Sequence, residues 1–178
     1  MMEPEELISS ETRFAGRLLR LRVDTVRLPD GRVRRREVVE HPGAVAVLPV
    51  LSSGEIVLVR QYRHAVGRTL LEAPAGTREP DESPEACARR ELLEETGYEA
   101  GALRELVRFY VSPGWASEEV IVYLATDLVA QQARPADDER IAVERVAPEQ
   151  VPELIRRREI TDAKTLIAVL GYLGLRLV

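Results

Sequence analysis

The stretch GTREPDESPEACARRELLEETGY, Gly76 to Tyr98, decides how the rest of the chain is read. Its second half carries the marks of a short helix: Ser83 as N-cap, Pro84 at the first helical position, Glu85 in the first turn and Gly97 just past the end. At about 100° per residue, Glu91, Glu94 and Glu95 fall on one face within an arc of roughly 100°. Like charges so placed destabilise a helix by about 0.2–0.5 kcal/mol per pair unless a cation offsets them. Hard divalent cations such as Mg²⁺ and Mn²⁺ prefer oxygen-rich clusters of this kind. For an arbitrary cluster the competing reading is a solvated acidic face, with Arg89 and Arg90 as ordinary i,i+4 partners.

Outward from this stretch, the 178 residues, with 45% hydrophobic and 31% charged side chains, describe one ordinary soluble domain with a sizeable core. No apolar run approaches the roughly 20 residues needed to span a bilayer, and the start MMEPEEL lacks the basic and apolar regions of a signal peptide. No membrane partner and a cytoplasmic location are therefore expected. Cys87 is the only cysteine, so an intrachain disulfide is excluded, and a lone thiol among helix residues reads as packing. A net charge of −5 argues against nucleic acid as a partner, the run Arg32, Arg34, Arg35, Arg36 being the local exception.

Upstream, Glu11 to Arg27 alternates apolar and polar positions, as in Leu19-Arg20-Leu21-Arg22-Val23-Asp24, the period of a half-buried strand. The turn Pro29-Asp30-Gly31 and the resumed strand Val33 to Val39 predict an N-terminal antiparallel hairpin. Ala44 to Leu51 and Ile56 to Tyr62 read as buried central strands. Downstream, Leu103 to Val111 and Val120 to Leu128 read as strands around the turn Ser112-Pro113-Gly114-Trp115. After the polar loop Gln131 to Glu139 come a last strand, Ile141 to Val146, and helices over Pro148 to Arg158 and Thr161 to Leu175. The composite is α+β, without repeats or low-complexity linkers.

The spacing in the opening stretch sharpens its reading. Gly76, five residues, Glu82, seven residues, then Arg90-Glu91-Leu92-Leu93-Glu94-Glu95-Thr96-Gly97-Tyr98 resembles the Nudix box, the signature of hydrolases that cleave nucleoside diphosphates linked to another moiety. Only Tyr98 departs, standing where the family usually has an aliphatic residue, and its ring can pack there. The resemblance implies the Nudix α/β/α sandwich with a mixed β-sheet. The N-terminal β segment, 1–42, precedes the hydrolase domain, 43–178. It also implies a homodimer in which the N-terminal hairpin reaches the partner.

By similarity to the family, Glu91 and Glu95 are expected to ligate Mg²⁺, for which Mn²⁺ or another divalent cation can substitute. Glu94 would ligate a further metal directly or through water, and the main-chain carbonyl of Ala75 would complete the shell. Arg90 would orient the carboxylates, with Glu82 in support. Such a cation neutralises the oxygens of a pyrophosphate and lowers the pKa of a bound water.

Substrate choice is expected outside the box. Pro113 lies 16 positions after Gly97, where Nudix enzymes that hydrolyse ADP-ribose carry a proline; alone it would be no more than turn chemistry. Three further segments resemble the same subfamily: Glu72-Ala73-Pro74-Ala75-Gly76, Arg60-Gln61-Tyr62-Arg63, and Asp162-Ala163-Lys164-Thr165. The resemblance thus covers nearly the whole chain. It implies that Arg63 contacts a phosphate, that Arg36 lies near the nucleoside and that Glu72 holds a ribose hydroxyl or sits close to the metals. Surface ion pairing is the plain alternative for each arginine. The loop before the last strand would supply a metal ligand or the base that takes the water's proton, Glu139 first and Asp137 next, with Glu118 and Glu119 as competitors. The expected activity is Mg²⁺-dependent hydrolysis of ADP-ribose to AMP and ribose 5-phosphate. Competing readings are a Nudix pyrophosphatase for another nucleoside diphosphate, such as a nucleotide sugar, a dinucleoside polyphosphate or NADH, and a non-catalytic module that binds ADP-ribose.

Overall fold

Strand β4 (Ala44–Pro49) sends its side chains alternately to two cores, and this alternation organises the larger part of the molecule. The structure, a computed structural model, describes residues 3–132 and 140–174. Ala46 and Leu48 of β4 join Ile56, Leu58, Leu71, Val146, Val151, Ile160 and Ala168 in one cluster. Val45 and Val47 join Val57, Cys87, Ala88, Leu92, Ile121 and Tyr123 in the other. A strand buried on both faces needs a helix on each. Helix α1 (Pro84–Thr96) covers one side, and α3 (Ala163–Tyr172) the other.

The remaining elements of this unit are β5 (Ile56–Arg63), β6 (Arg68–Glu72), β7 (Ala75–Thr77), β8 (Tyr98–Tyr110), β9 (Glu119–Ala130), β10 (Ile141–Val146) and α2 (Val151–Arg156). One sheet has the order β7-β4-β9-β8 and is mixed: β4 runs parallel to β9 and antiparallel to β7. A second has the order β10-β5-β6, with antiparallel pairing throughout. The α+β class and the mixed sheet expected from the sequence are thus present. Among the described residues no helix is long and apolar enough to cross a membrane.

A separate compact unit comprises the chain through Gly43 together with Tyr110–Glu119. It holds an antiparallel sheet of three strands, β1 (Glu6–Ala15), β2 (Arg20–Arg27) and β3 (Val33–Glu40). The predicted hairpin is β2-β3, and its turn carries Gly31 at φ 83°. What the sequence offered as one segment, Glu11 to Arg27, is broken by a turn in which Gly16 N–H donates to Leu19 O at 2.9 Å. Strand β1 is exposed along its whole length, so it has no buried face to leave an alternating pattern.

Helix α1 has the predicted ends. Ser83 Oγ accepts from Ala86 N at 3.2 Å, and Gly97, at φ 72°, donates its N–H to Leu93 O at 2.9 Å. The region read as one helix over Pro148 to Arg158 instead opens with a 3₁₀ turn, Pro148–Gln150, before α2. Pro152 has no N–H for the Pro148 carbonyl, which accepts from Val151 N instead.

Helix α3 is tied to the strand that leads into the box. Asp162 caps it by accepting from Thr165 N at 3.0 Å, and the fully buried Thr165 Oγ1 accepts from Ala73 N at 2.8 Å. Thr165→Val keeps the volume but strands the Ala73 N–H in the interior. The expected cost is about 1–3 kcal/mol, measured as a lower urea midpoint at unchanged slope.

Candidate active site

The three clustered glutamates of α1, Glu91, Glu94 and Glu95, do not share one environment. Glu91 is 9% exposed and Glu95 3%, whereas the side chain of Glu94 is open to solvent. Burying carboxylates is costly unless donors or cations meet them. Ala75 N, in β7, donates to Glu95 Oε2 at 3.0 Å. Glu91 lies against Gly76, where an added Cβ would overlap its carboxylate. Glycine is thus required at position 76 for space rather than for backbone conformation.

Arg90 supplies the positive charge. Its Nε and Nη2 form a fork on Glu82, at 2.8 and 3.0 Å, while Nη1 bridges Glu91 Oε1 at 2.6 Å and Glu94 Oε2 at 3.2 Å. Like-charge repulsion on this face is thereby offset within the protein. Glu82, just ahead of the helix, also accepts from Glu79 N at 3.1 Å. The Arg90 fork is the main reason its carboxyl is held down at about 2. Arg89 pairs with Glu85 at 2.9 Å on an exposed stretch, an ordinary i,i+4 pair. Cys87 is buried, and that burial is the chief cause of its thiol being pushed up to about 12, leaving it unreactive.

In the folded chain the Glu82 carboxyl ionises below its ordinary 4.5, so the fork contributes stability that is complete above that pH and is lost as pH falls toward about 2. Urea titrations between pH 5 and 3 in metal-free buffer are expected to show a shallower acid decline for Glu82→Gln than for the wild type.

A second group forms around Glu72, at the end of β6 and 1% exposed. Arg63 forks onto it from β5, with Nε and Nη2 each at 2.8 Å from a carboxylate oxygen. Lys164 Nζ, from the first turn of α3, donates to Glu72 Oε2 and, at 2.9 Å, to Asp162 Oδ1. Burial opposes ionisation of Glu72, yet the Arg63 fork and the Lys164 ammonium hold its carboxyl below the usual range. The Glu72 fork, against the cost of burial, likewise strengthens protonation of Arg63, with Glu95 and Asp162 adding to it.

Arg36 and Pro113 belong to the other unit. Arg36, on β3, forks onto Glu5 at 2.5 and 3.1 Å, and Pro113 is exposed in the turn closed by Ala116 N to Ser112 O at 2.9 Å. Glu118 and Glu119 are half-buried at the start of β9. Asp137 and Glu139 lie outside the described residues. Sequence reasoning missed the role of Lys164 as second cation on Glu72; the available signal was its being the sole lysine among 25 basic residues.

The donor set fits a hard divalent cation. It consists of carboxylate oxygens, two of them on nearly buried residues, beside the Ala75 backbone, and Gly76 leaves the gap that Glu91 fills. Among the described residues no three acidic, histidine or cysteine side chains already converge as a cage. Instead, Arg90 Nη1 bridges two of the carboxylates.

An α1 face of glutamates backed by an arginine, on a mixed sheet with a helix on each side, defines an acidic oxygen-donor site of the kind that handles phosphates through cations. The sequence profile of the NUDIX domain matches residues 40–168, and that of a nucleoside diphosphate sugar hydrolase N-terminal domain matches 5–39. The chain belongs to the Nudix family of hydrolases, whose chemistry uses divalent cations. It is 46% identical over 174 residues to an ADP-ribose pyrophosphatase of Bacillus subtilis (strain 168), covering 97% of this chain and 94% of that one. It is 40% identical, with the same coverage, to a methanol dehydrogenase activator of Bacillus methanolicus. A crystal structure of an ADP compounds hydrolase shares the fold, with a TM-score of 0.87 at 22% identity over 98% of this chain and 95% of the other.

Proposed function

We propose that this protein hydrolyses the pyrophosphate bond of ADP-ribose, giving AMP and ribose 5-phosphate, with Mg²⁺ as its cation. The observation that carries the reading is the near-buried pair Glu91 and Glu95 beside Ala75 and Gly76, in a chain similar along nearly its whole length to an ADP-ribose pyrophosphatase. Glu91 and Glu95, with the Ala75 carbonyl and Glu94, would hold the cation. Bound there, a divalent cation supplies charge to neutralise the pyrophosphate oxygens and acidifies a water.

The protein's own groups do the rest. Arg90 keeps Glu91 and Glu94 in place, Arg63 meets a phosphate, and Glu72 holds Arg63. Glu139 or Asp137 takes the proton of the attacking water. Arg36 is assigned to the nucleoside, and Pro113 to substrate choice. The segment 1–42, in which Leu7, Ile8 and Phe14 are exposed, is assigned to a homodimer contact; light scattering showing an active monomer would count against it. A cytoplasmic setting goes with this reading, and cell fractionation would check it.

Incubation with ADP-ribose and Mg²⁺ is expected to release AMP and ribose 5-phosphate in equal amounts. Turnover of a nucleotide sugar, a dinucleoside polyphosphate or NADH in its place would overturn the substrate while leaving the Nudix assignment intact. Tight binding of ADP-ribose without cleavage would point to a sensing module.

A further inference from the structure

Arg63 has five N–H donors in a planar fork, and two of them, on Nε and Nη2, are spent on Glu72. The Nη1 edge is turned away from that carboxylate, and the side chain is 37% exposed. Glu72 therefore aims Arg63 instead of consuming it. A one-to-one pair with a buried carboxylate would nevertheless cancel most of the charge that Arg63 offers to an anion. Lys164 changes that balance: its ammonium is a second cation on Glu72 Oε2, delivered from α3, 92 positions away in the chain. Asp162 balances Lys164 from the far side, and its Oδ1 also caps the helix through Thr165 N. The order is thus acid, base, acid, base, ending on the half-exposed arginine.

We propose that Lys164 is a positioning residue for substrate binding: by sharing Glu72, it leaves Arg63 oriented toward a phosphate of the nucleoside diphosphate with its charge less completely cancelled. This rests on the reading that Arg63 meets a phosphate, and it extends that reading to a residue that does not itself touch the substrate. The partner class is an anionic diphosphate, and a neutral ligand would gain nothing from the arrangement.

The test is Lys164→Gln, which retains a donor for Glu72 and removes the charge. KM for ADP-ribose is expected to rise about tenfold with kcat within about twofold, as for a lost charge-assisted contact. Calorimetric titration with ADP-ribose in metal-free buffer is expected to show the same weakening of Kd, independently of turnover. Combined with Arg63→Ala, the Lys164→Gln change is expected to have no further effect on KM or Kd. An unchanged KM and Kd in Lys164→Gln, alongside weaker binding in Arg63→Ala, overturns the proposal and leaves the role of Arg63 standing. Equal losses in both backgrounds overturn it in favour of a purely structural lysine. Unchanged binding in Arg63→Ala removes both readings. Thermal melts establish that each variant is folded, and Lys164→Met replaces Lys164→Gln if the latter is not.

Discussion

Glu95→Gln is expected to abolish nearly all activity while leaving the fold in place. Glu95 is almost fully buried and accepts from Ala75 N at 3.0 Å, and a glutamine oxygen accepts that bond equally well. What the substitution removes is one negative charge from the donor set proposed for the cation. Several kcal/mol of charge stabilisation are at stake, and each 1.4 kcal/mol is tenfold in rate, so kcat should fall on the order of 10³-fold. Steady-state kinetics over a Mg²⁺ titration, with a thermal melt as control, provide the measurement. Activity within tenfold of the wild type would show that Glu95 is not a ligand.

Gly76→Ala should be nearly as damaging, for a steric reason. The new methyl would stand where the Glu91 carboxylate now lies, and Glu91 must move out of its contact. Displacement of a reacting or ligating group by about 1 Å costs on the order of 10²-fold. The change leaves every charge in place, so excess Mg²⁺ should recover part of the rate if Glu91 ligates the cation. Kinetics at low and high Mg²⁺ separate this from a simple folding defect. Full activity at both would mean that Glu91 can leave its place without consequence.

The box helix was legible to its ends because its signals are local: Ser83, Pro84 and Gly97 each act within one turn. Strands β4 and β5 were legible from their apolar runs, since both are buried on both faces over most of their length. Strand β1 was read only from Glu11 and was not separated from β2, because no face of it is buried, so composition and burial never coincide there. In the site, sequence spacing could group Glu91, Glu94 and Glu95 but could not show that Glu94 stays open while the other two are enclosed. That difference depends on β7, which brings Ala75 and Gly76 against the helix.

The Arg63–Glu72 fork was equally hidden. It depends on the β5–β6 register, with Val59 opposite Glu72, and on a lysine contributed by a helix remote in the chain. The sequence points Arg63 to a phosphate and Glu72 to a ribose hydroxyl or the metals, whereas in the fold the two side chains bind each other.

The bonds from the first turn of α3 to Glu72 and Ala73 each span 92 positions. A polypeptide emerging from a ribosome therefore displays its acidic helix α1 long before it possesses the means to hold the residues just ahead of it. Contacts so distant in the chain close late in folding. During synthesis the acidic face can exist as a helix before α3 is available to close the bonds at Glu72 and Ala73.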